Sequence, residues 1–279
     1  MAYKTLLTVL TDSSIAKAPL EHIIALATAQ DAHAAVLCLG VDRTQTGYYY
    51  AGANAVIIQE TLNRARAEAG DVLNHVKDVM GQSAVRWSAD EGVAQIADLN
   101  RHVAHRARFT DLVVLPRPYG ENRGGEVEAI VEAALFEGDA PVLVVPDEGV
   151  AKGKPENILV AWNESVEAMT AIRRALPFLT AAELVRIVII DPPSHGPERS
   201  DPGGMLSQML TRHGVKCEID VLSKTMNRVS DVLNRHAMDT ASDMIVMGAY
   251  GHSRFREAIL GGATRNMLEK SDVPVFMAR

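Results

Sequence analysis

The chain is poor in cysteine, with two in 279 residues, Cys38 and Cys217. They stand in separate apolar runs, far from any C-x-x-C spacing, so they read as two buried thiols of a reduced compartment and not as a disulfide. Basic charge is not in excess either. Lys and Arg number 28 against 35 Asp and Glu, a net charge of −7 with both signs interspersed. No basic face is left to attract nucleic acid. No apolar run approaches the roughly 18 residues of a membrane-crossing helix, and no positively charged stretch precedes a short apolar one. The expected setting is cytoplasmic, with neither nucleic acid nor membrane as partner. A catalytic set is also missing. His102 and His105 lie three apart on one predicted helix, a spacing that can hold a metal, but no third ligand accompanies them. They read as exposed helix histidines. Asn163-Glu164-Ser165 fits a glycosylation sequon, which has no meaning in a cytoplasmic chain.

What is present is a repeat. Asp111-Leu112-Val113-Val114-Leu115 matches Asp243-Met244-Ile245-Val246-Met247, and Asp139–Val145 matches Asp272–Ala278. Leu6–Leu10 pairs in the same way with Ile158–Trp162. A composition of 47% hydrophobic residues can fill one core per half. Two domains follow, over 1–148 and 155–279, joined by the short polar Gly/Pro stretch between Asp147 and Pro155.

Within each half, apolar runs alternate with amphipathic stretches, the pattern of βαβ units around a parallel sheet. Strands are predicted over 5–10, 34–40, 83–88, 111–115 and 141–145, then 157–162, 184–190, 216–222, 243–247 and 274–278. Helices are predicted over 15–29, 54–80, 93–107 and 126–136, then 165–179, 203–213, 228–240 and 262–270. The fold class is α/β: two tandem copies of a five-stranded, parallel-sheet, Rossmann-like domain. Met205, Met209, Met226, Met238, Met244, Met247 and Met267 are expected mostly as core filling in the second half.

Ligands of such sheets bind beyond the carboxyl ends of the strands. There the second half carries Gly248-Ala249-Tyr250-Gly251, nine further residues, then Gly261-Gly262-Ala263-Thr264. Glycines that let backbone N–H groups approach, leading into a helix N-terminus, form a cradle for phosphate. The spacing is neither a P-loop nor a dinucleotide fingerprint. It resembles the G-x2-G-x9-G-[ST] signature of the universal stress protein family, with Gly262 in place of the final hydroxyl and Thr264 two residues beyond. The resemblance implies a stress-response protein, with ATP as the ligand of the second half and Mg2+ alongside it. It also implies pairing through the last strand, as an intrachain pseudo-dimer of the halves and as a homodimer.

The residues assigned to the nucleotide on this basis are Trp162, Asn163, Ile190, Gly248, Gly251, His252, Gly261, Gly262, Ala263 and Thr264. Where the family has Asp in a strand-one V-D-x-S context, the second half has Asn163 and the first has Thr11. Asp12 and Glu164 are expected to support the following helix together with Ser13 or Ser165. His252 and Arg254 either face a phosphate or point into solvent. Arg265, unfavourable in a first helical turn, favours an anion nearby. Aligned on the fourth strand, the first half has Pro116 for Gly248 and Tyr119 for Gly251, and no Gly-Gly-x-Thr ahead of its last helix. It is therefore read as unable to hold a triphosphate, although Arg117, Gly120, Arg123, Gly124 and Gly125 could form a different anion pocket. Three functions stay open: a nucleotide-binding regulator, an interaction module with relic glycines, and a slow ATP hydrolase, for which no base or Walker-type lysine is present.

Overall fold

The computed structural model describes residues 2–43, 55–120, 123–192, 201–249 and 262–279. It divides into two compact units, Tyr3–Val142 and a second containing Leu143–Arg279 with the first two residues.

In the first unit, β1 (Thr5–Leu10), β2 (His33–Asp42), β3 (Arg86–Gln95) and β4 (Leu112–Pro116) lie in the order β3-β2-β1-β4. All are parallel, with Thr5 opposite His33, Leu6 opposite Leu112 and His33 opposite Arg86. Helices α1 (Lys17–Gln30), α2 (Ala55–Met80), α3 (Leu99–Ala107) and α4 (Gly125–Glu132) accompany them. Central β1 and β4 are apolar without alternation and buried over Leu6–Leu10 and Leu112–Leu115, as expected of strands covered on both faces. In α2, Ala65, Ala69, Val72, Val76 and Met80 form one buried stripe, the i, i+4, i+7 spacing of a helix packed on a sheet.

The second unit repeats this order. Strands β6 (Asn157–Ala161), β7 (Leu184–Ile190), β8 (Cys217–Leu222), β9 (Met244–Gly248) and β10 (Val275–Ala278) run β8-β7-β6-β9-β10. Ile158 lies opposite Met244 as Leu6 lies opposite Leu112. Its helices are α5 (Val166–Leu179), α6 (Gly204–Arg212), α7 (Val229–Asp239) and α8 (Gly262–Lys270). Phe178 and Phe276 meet edge to face at 6.0 Å in its core. The short β5 (Val142–Val145) spans the boundary between the units.

One device starts both sheets. Asp111 Oδ2 accepts the backbone N–H groups of Lys4 and Thr5, at 2.7 and 2.9 Å. Asp243 Oδ2 accepts those of Glu156 and Asn157, at 2.8 and 3.0 Å. Each aspartate ties the entry of the central strand to that of its neighbour.

Four expectations are corrected. Residues 93–95 belong to β3, which is longer than predicted and pairs with β2 over ten positions; helical backbone begins only at Ile96. The last helix of the first unit ends in a π-helical segment, Ala133–Glu137. Cys38 is buried, and burial pushes its thiol up to about 11, but Cys217 is only partly covered, with its Sγ 3.4 Å from Ser207 Oγ. Of the seven methionines, only Met244, Met247 and Met267 are buried, whereas Met205 and Met238 are exposed.

Candidate functional site

The carboxyl ends of β6 and β9 bring part of the predicted set together. Beyond β6, Trp162 donates its backbone N–H to Val188 O at 3.0 Å. Its indole Nε1 is buried and has no hydrogen-bond partner among the described residues. Asn163 is exposed, and its Oδ1 accepts the N–H of Ser165 at 3.3 Å. Glu164 takes a left-handed φ of 62°, so it turns the chain and supplies no cap, unlike the expectation. Ser165 does cap α5, accepting the N–H of Ala168 at 3.1 Å. In the first unit Asp12 accepts the N–H of Ser14 at 2.8 Å, as expected. Ile190 is half-buried at the end of β7.

Gly248, at the end of β9, has a packing reason to be glycine. A Cβ there would lie 2.5 Å from Ala168 N and 2.7 Å from Glu167 C, in the first turn of α5. Gly262 is the opposite case. Among the described residues, a Cβ on it would meet only Asn266 Nδ2, at 3.8 Å. Gly262 and Ala263 are exposed and Thr264 is buried. Arg265 is answered by its own helix, through Glu269 Oε1 at 2.9 Å, so it does not call for a phosphate. Beside this helix start, Arg228 donates to Asn266 Oδ1 at 2.7 Å, and Asn266 Nδ2 donates to Gly262 O. Gly251, His252, Arg254 and Gly261 lie outside the described residues.

The first unit contains a helix start that sequence reading did not match to this one. In α4 the buried residues include Val127, Ile130, Val131 and, beyond it, Ala134, beside the buried Glu126; in α8 they are Thr264, Met267, Leu268 and, beyond it, Ser271. Each pair is 137 positions apart (264 − 127 for the first). Gly124-Gly125 therefore corresponds to Gly261-Gly262, Glu126 to Ala263 and Val127 to Thr264. The correspondence was hidden because the last strands are offset by 133 (272 − 139), four fewer; the extra length of the first unit is taken up around its π-helical segment.

At this start the carboxylate of Glu126 folds back over Gly124, where any Cβ would overlap it. The side chain is 8% exposed and its Oε1 accepts from Arg43 Nη2 at 2.6 Å. Arg43 also reaches Glu68 Oε2 on α2, at 3.2 Å. The hydrogen bond to Glu126 raises the Arg43 pKa against the cost of burial. Tyr119 donates to Glu128 Oε1 at 2.9 Å. Among the described residues no group of three His, Cys, Asp or Glu could hold a metal, and no helix is long and apolar enough to cross a membrane.

Residues 155–279 match the sequence model of the universal stress protein family. The chain is 27% identical over 160 residues to the universal stress protein Slr1230 of Synechocystis sp., a match taking in 56% of this chain and 52% of that protein. It thus spans about half the length of that curated relative. A universal stress protein structure from Archaeoglobus fulgidus aligns at TM-score 0.76 and 15% identity, over 99% of this chain and 96% of that one. A putative universal stress protein from Pseudomonas aeruginosa aligns at 0.54 and 14%, over 99% and 93%. These two likenesses are of fold. The match to the universal stress protein family lies in the second half of the chain, residues 155–279.

Proposed function

We propose that this protein acts in the stress response as a regulator that binds one adenine nucleotide, ATP with Mg2+, in its second half, in the cytoplasm. The observation that carries the reading is the start of α8, where Gly262 and Ala263 are exposed and, among the described residues, only Asn266 Nδ2 comes within 4 Å of a Cβ placed on Gly262. Backbone N–H groups there suit a phosphate. The buried Nε1 of Trp162, which has no partner among the described residues, and the exposed amide of Asn163, at the end of β6, fit the adenosine side of the same ligand. Mg2+ is proposed to arrive held by the nucleotide's own phosphates. Binding and not turnover is the activity proposed. The test is calorimetric titration of the full chain with MgATP, alongside mass analysis of what co-purifies. Binding at one site per chain supports the reading.

The rival is an interaction module of the same fold. Gly248 and Arg265, two residues first read as phosphate signals, have reasons to be there that involve no nucleotide. A chain that takes up no adenine nucleotide at millimolar concentration would favour that rival.

A further inference from the structure

We infer that Glu126 is a built-in anion: its carboxylate, held by Arg43, stands in the first unit at the position where the second unit has the exposed Ala263. The two helix starts share a Gly-Gly pair and the same buried face, and differ at the next residue, Glu126 in α4 and Ala263 in α8. A carboxylate in a first turn is favoured by the helix dipole. The guanidinium of Arg43, 2.6 Å away, makes the charge-assisted contact that an external phosphate would otherwise accept. The missing Cβ of Gly124 makes room for the carboxylate. The glycines of the first half thus admit an anion, as glycines of a cradle do, but the anion belongs to the chain.

Removing it should leave a cation, a helix N-terminus and a bare glycine, which together take phosphate. The experiment compares wild type, Glu126→Ala and Glu68→Ala by calorimetry with inorganic phosphate, and by thermal melts in phosphate and in chloride of equal ionic strength. Glu68→Ala breaks the other Arg43 contact and keeps Glu126. Glu126→Ala is expected to gain one phosphate site over wild type. At ten times its Kd, phosphate should raise the folded-to-unfolded ratio roughly tenfold beyond the chloride control. Glu68→Ala should gain nothing. If Glu126→Ala fails to fold in chloride, refolding in phosphate is the same readout, and recovery is expected. Equal behaviour of Glu126→Ala in phosphate and chloride overturns the assignment, as does a phosphate site gained by Glu68→Ala.

The reciprocal arm, Ala263→Glu, rests on the nucleotide reading of the second half and should lower MgATP affinity at least tenfold. Absence of MgATP binding in wild type would defeat that reading alone, because the phosphate arm on Glu126 does not use it. Unchanged MgATP affinity in Ala263→Glu, with wild type binding, would overturn the equivalence of the two positions.

Discussion

The start of α4 and the start of α8 share a sequence pattern and a buried stripe and differ at one residue, Glu126 against Ala263. Both follow a Gly-Gly pair and bury one apolar stripe. At α4 a side chain closes the position and an arginine answers it; at α8 an alanine leaves it exposed. The ends of the fourth strands differ in another way. Pro116 is buried at the end of β4, whereas Gly248 at the end of β9 gives up its Cβ to the first turn of α5. Glycine therefore has two meanings 14 positions apart (262 − 248), close packing at 248 and, among the described residues, no close neighbour at 262. Counting glycines in a motif cannot separate them; asking what a Cβ would strike does.

The sharpest way to break this contrast is to add side chains at both glycines. Gly248→Val drives a branched Cβ into backbone atoms, and overpacking of that kind costs about 3 kcal/mol at the upper end of the usual range. Gly262→Ala meets no described atom closer than 3.8 Å in a first helical turn and should stabilise by about 0.4–1 kcal/mol through the unfolded chain. Urea denaturation of both variants reads the difference, and equal losses would erase the distinction.

The next largest effect tests whether the units are built alike. Asp111→Ala and Asp243→Ala each remove one carboxylate that accepts two backbone N–H groups. Each should cost roughly 1.5–3 kcal/mol. Burial pushes the Asp243 carboxyl up, and hydrogen bonds from Lys152 and from the Asn157 and Glu156 N–H groups outweigh it, leaving the group below its ordinary value. The Lys152 contact, 2.6 Å long but with the lysine 44% exposed, adds less than about 1 kcal/mol. Losses differing by much more than that would show that the shared clamp is not of equal weight in the two sheets.

A third comparison concerns the hydroxyl missing from the second half. Gly262→Ser has room for its side chain and supplies one further contact of about 0.5–1.5 kcal/mol. MgATP affinity by calorimetry should rise severalfold, to about tenfold at most. Gly125→Ser, at the matching position of the first unit, should leave MgATP affinity where it was.

The smallest effect is a pH dependence confined to the first unit. Burial holds His22 below its ordinary value of 6.5, and its Nδ1 lies 2.9 Å from Ala18 O within α1. The unfolded chain takes up the proton first, so the stabilising contribution is complete above about pH 6.5. It is lost as pH falls from there through the folded value. Denaturation midpoints measured from pH 7.5 to 5 should show this slope, and His22→Leu should flatten it.

The fold was legible where burial is two-sided. β1, β6 and β7 carry continuous apolar runs, and their ends were placed to within a residue. β3 was not, because an edge strand reading Arg-Trp-Ser-Ala-Asp-Glu-Gly-Val-Ala-Gln exposes one face and looks neither apolar nor regularly alternating. Its tail was absorbed into the helix that follows. At the candidate site, spacing and resemblance single out Trp162, Asn163 and the Gly-Gly pair, and the structure places Trp162 and Asn163 beyond β6 and Gly262 at the start of α8. The Arg43–Glu126 pair was not, since 83 positions separate the partners and no local pattern marks them. The two helix starts could have been matched from the spacing of buried residues, had the helices been aligned by their own apolar faces instead of through the strands beyond them.

The carboxylate over Gly124 has a consequence for what each half can report. A ligand carried on the chain is present at an effective concentration of millimolar or more, and no change in the cell's metabolites can dilute it. On the proposed nucleotide reading, the first half then gives one answer under all conditions, while the second varies with supply. One duplicated architecture would serve as a reference and a gauge, set apart by the side chain that follows two glycines.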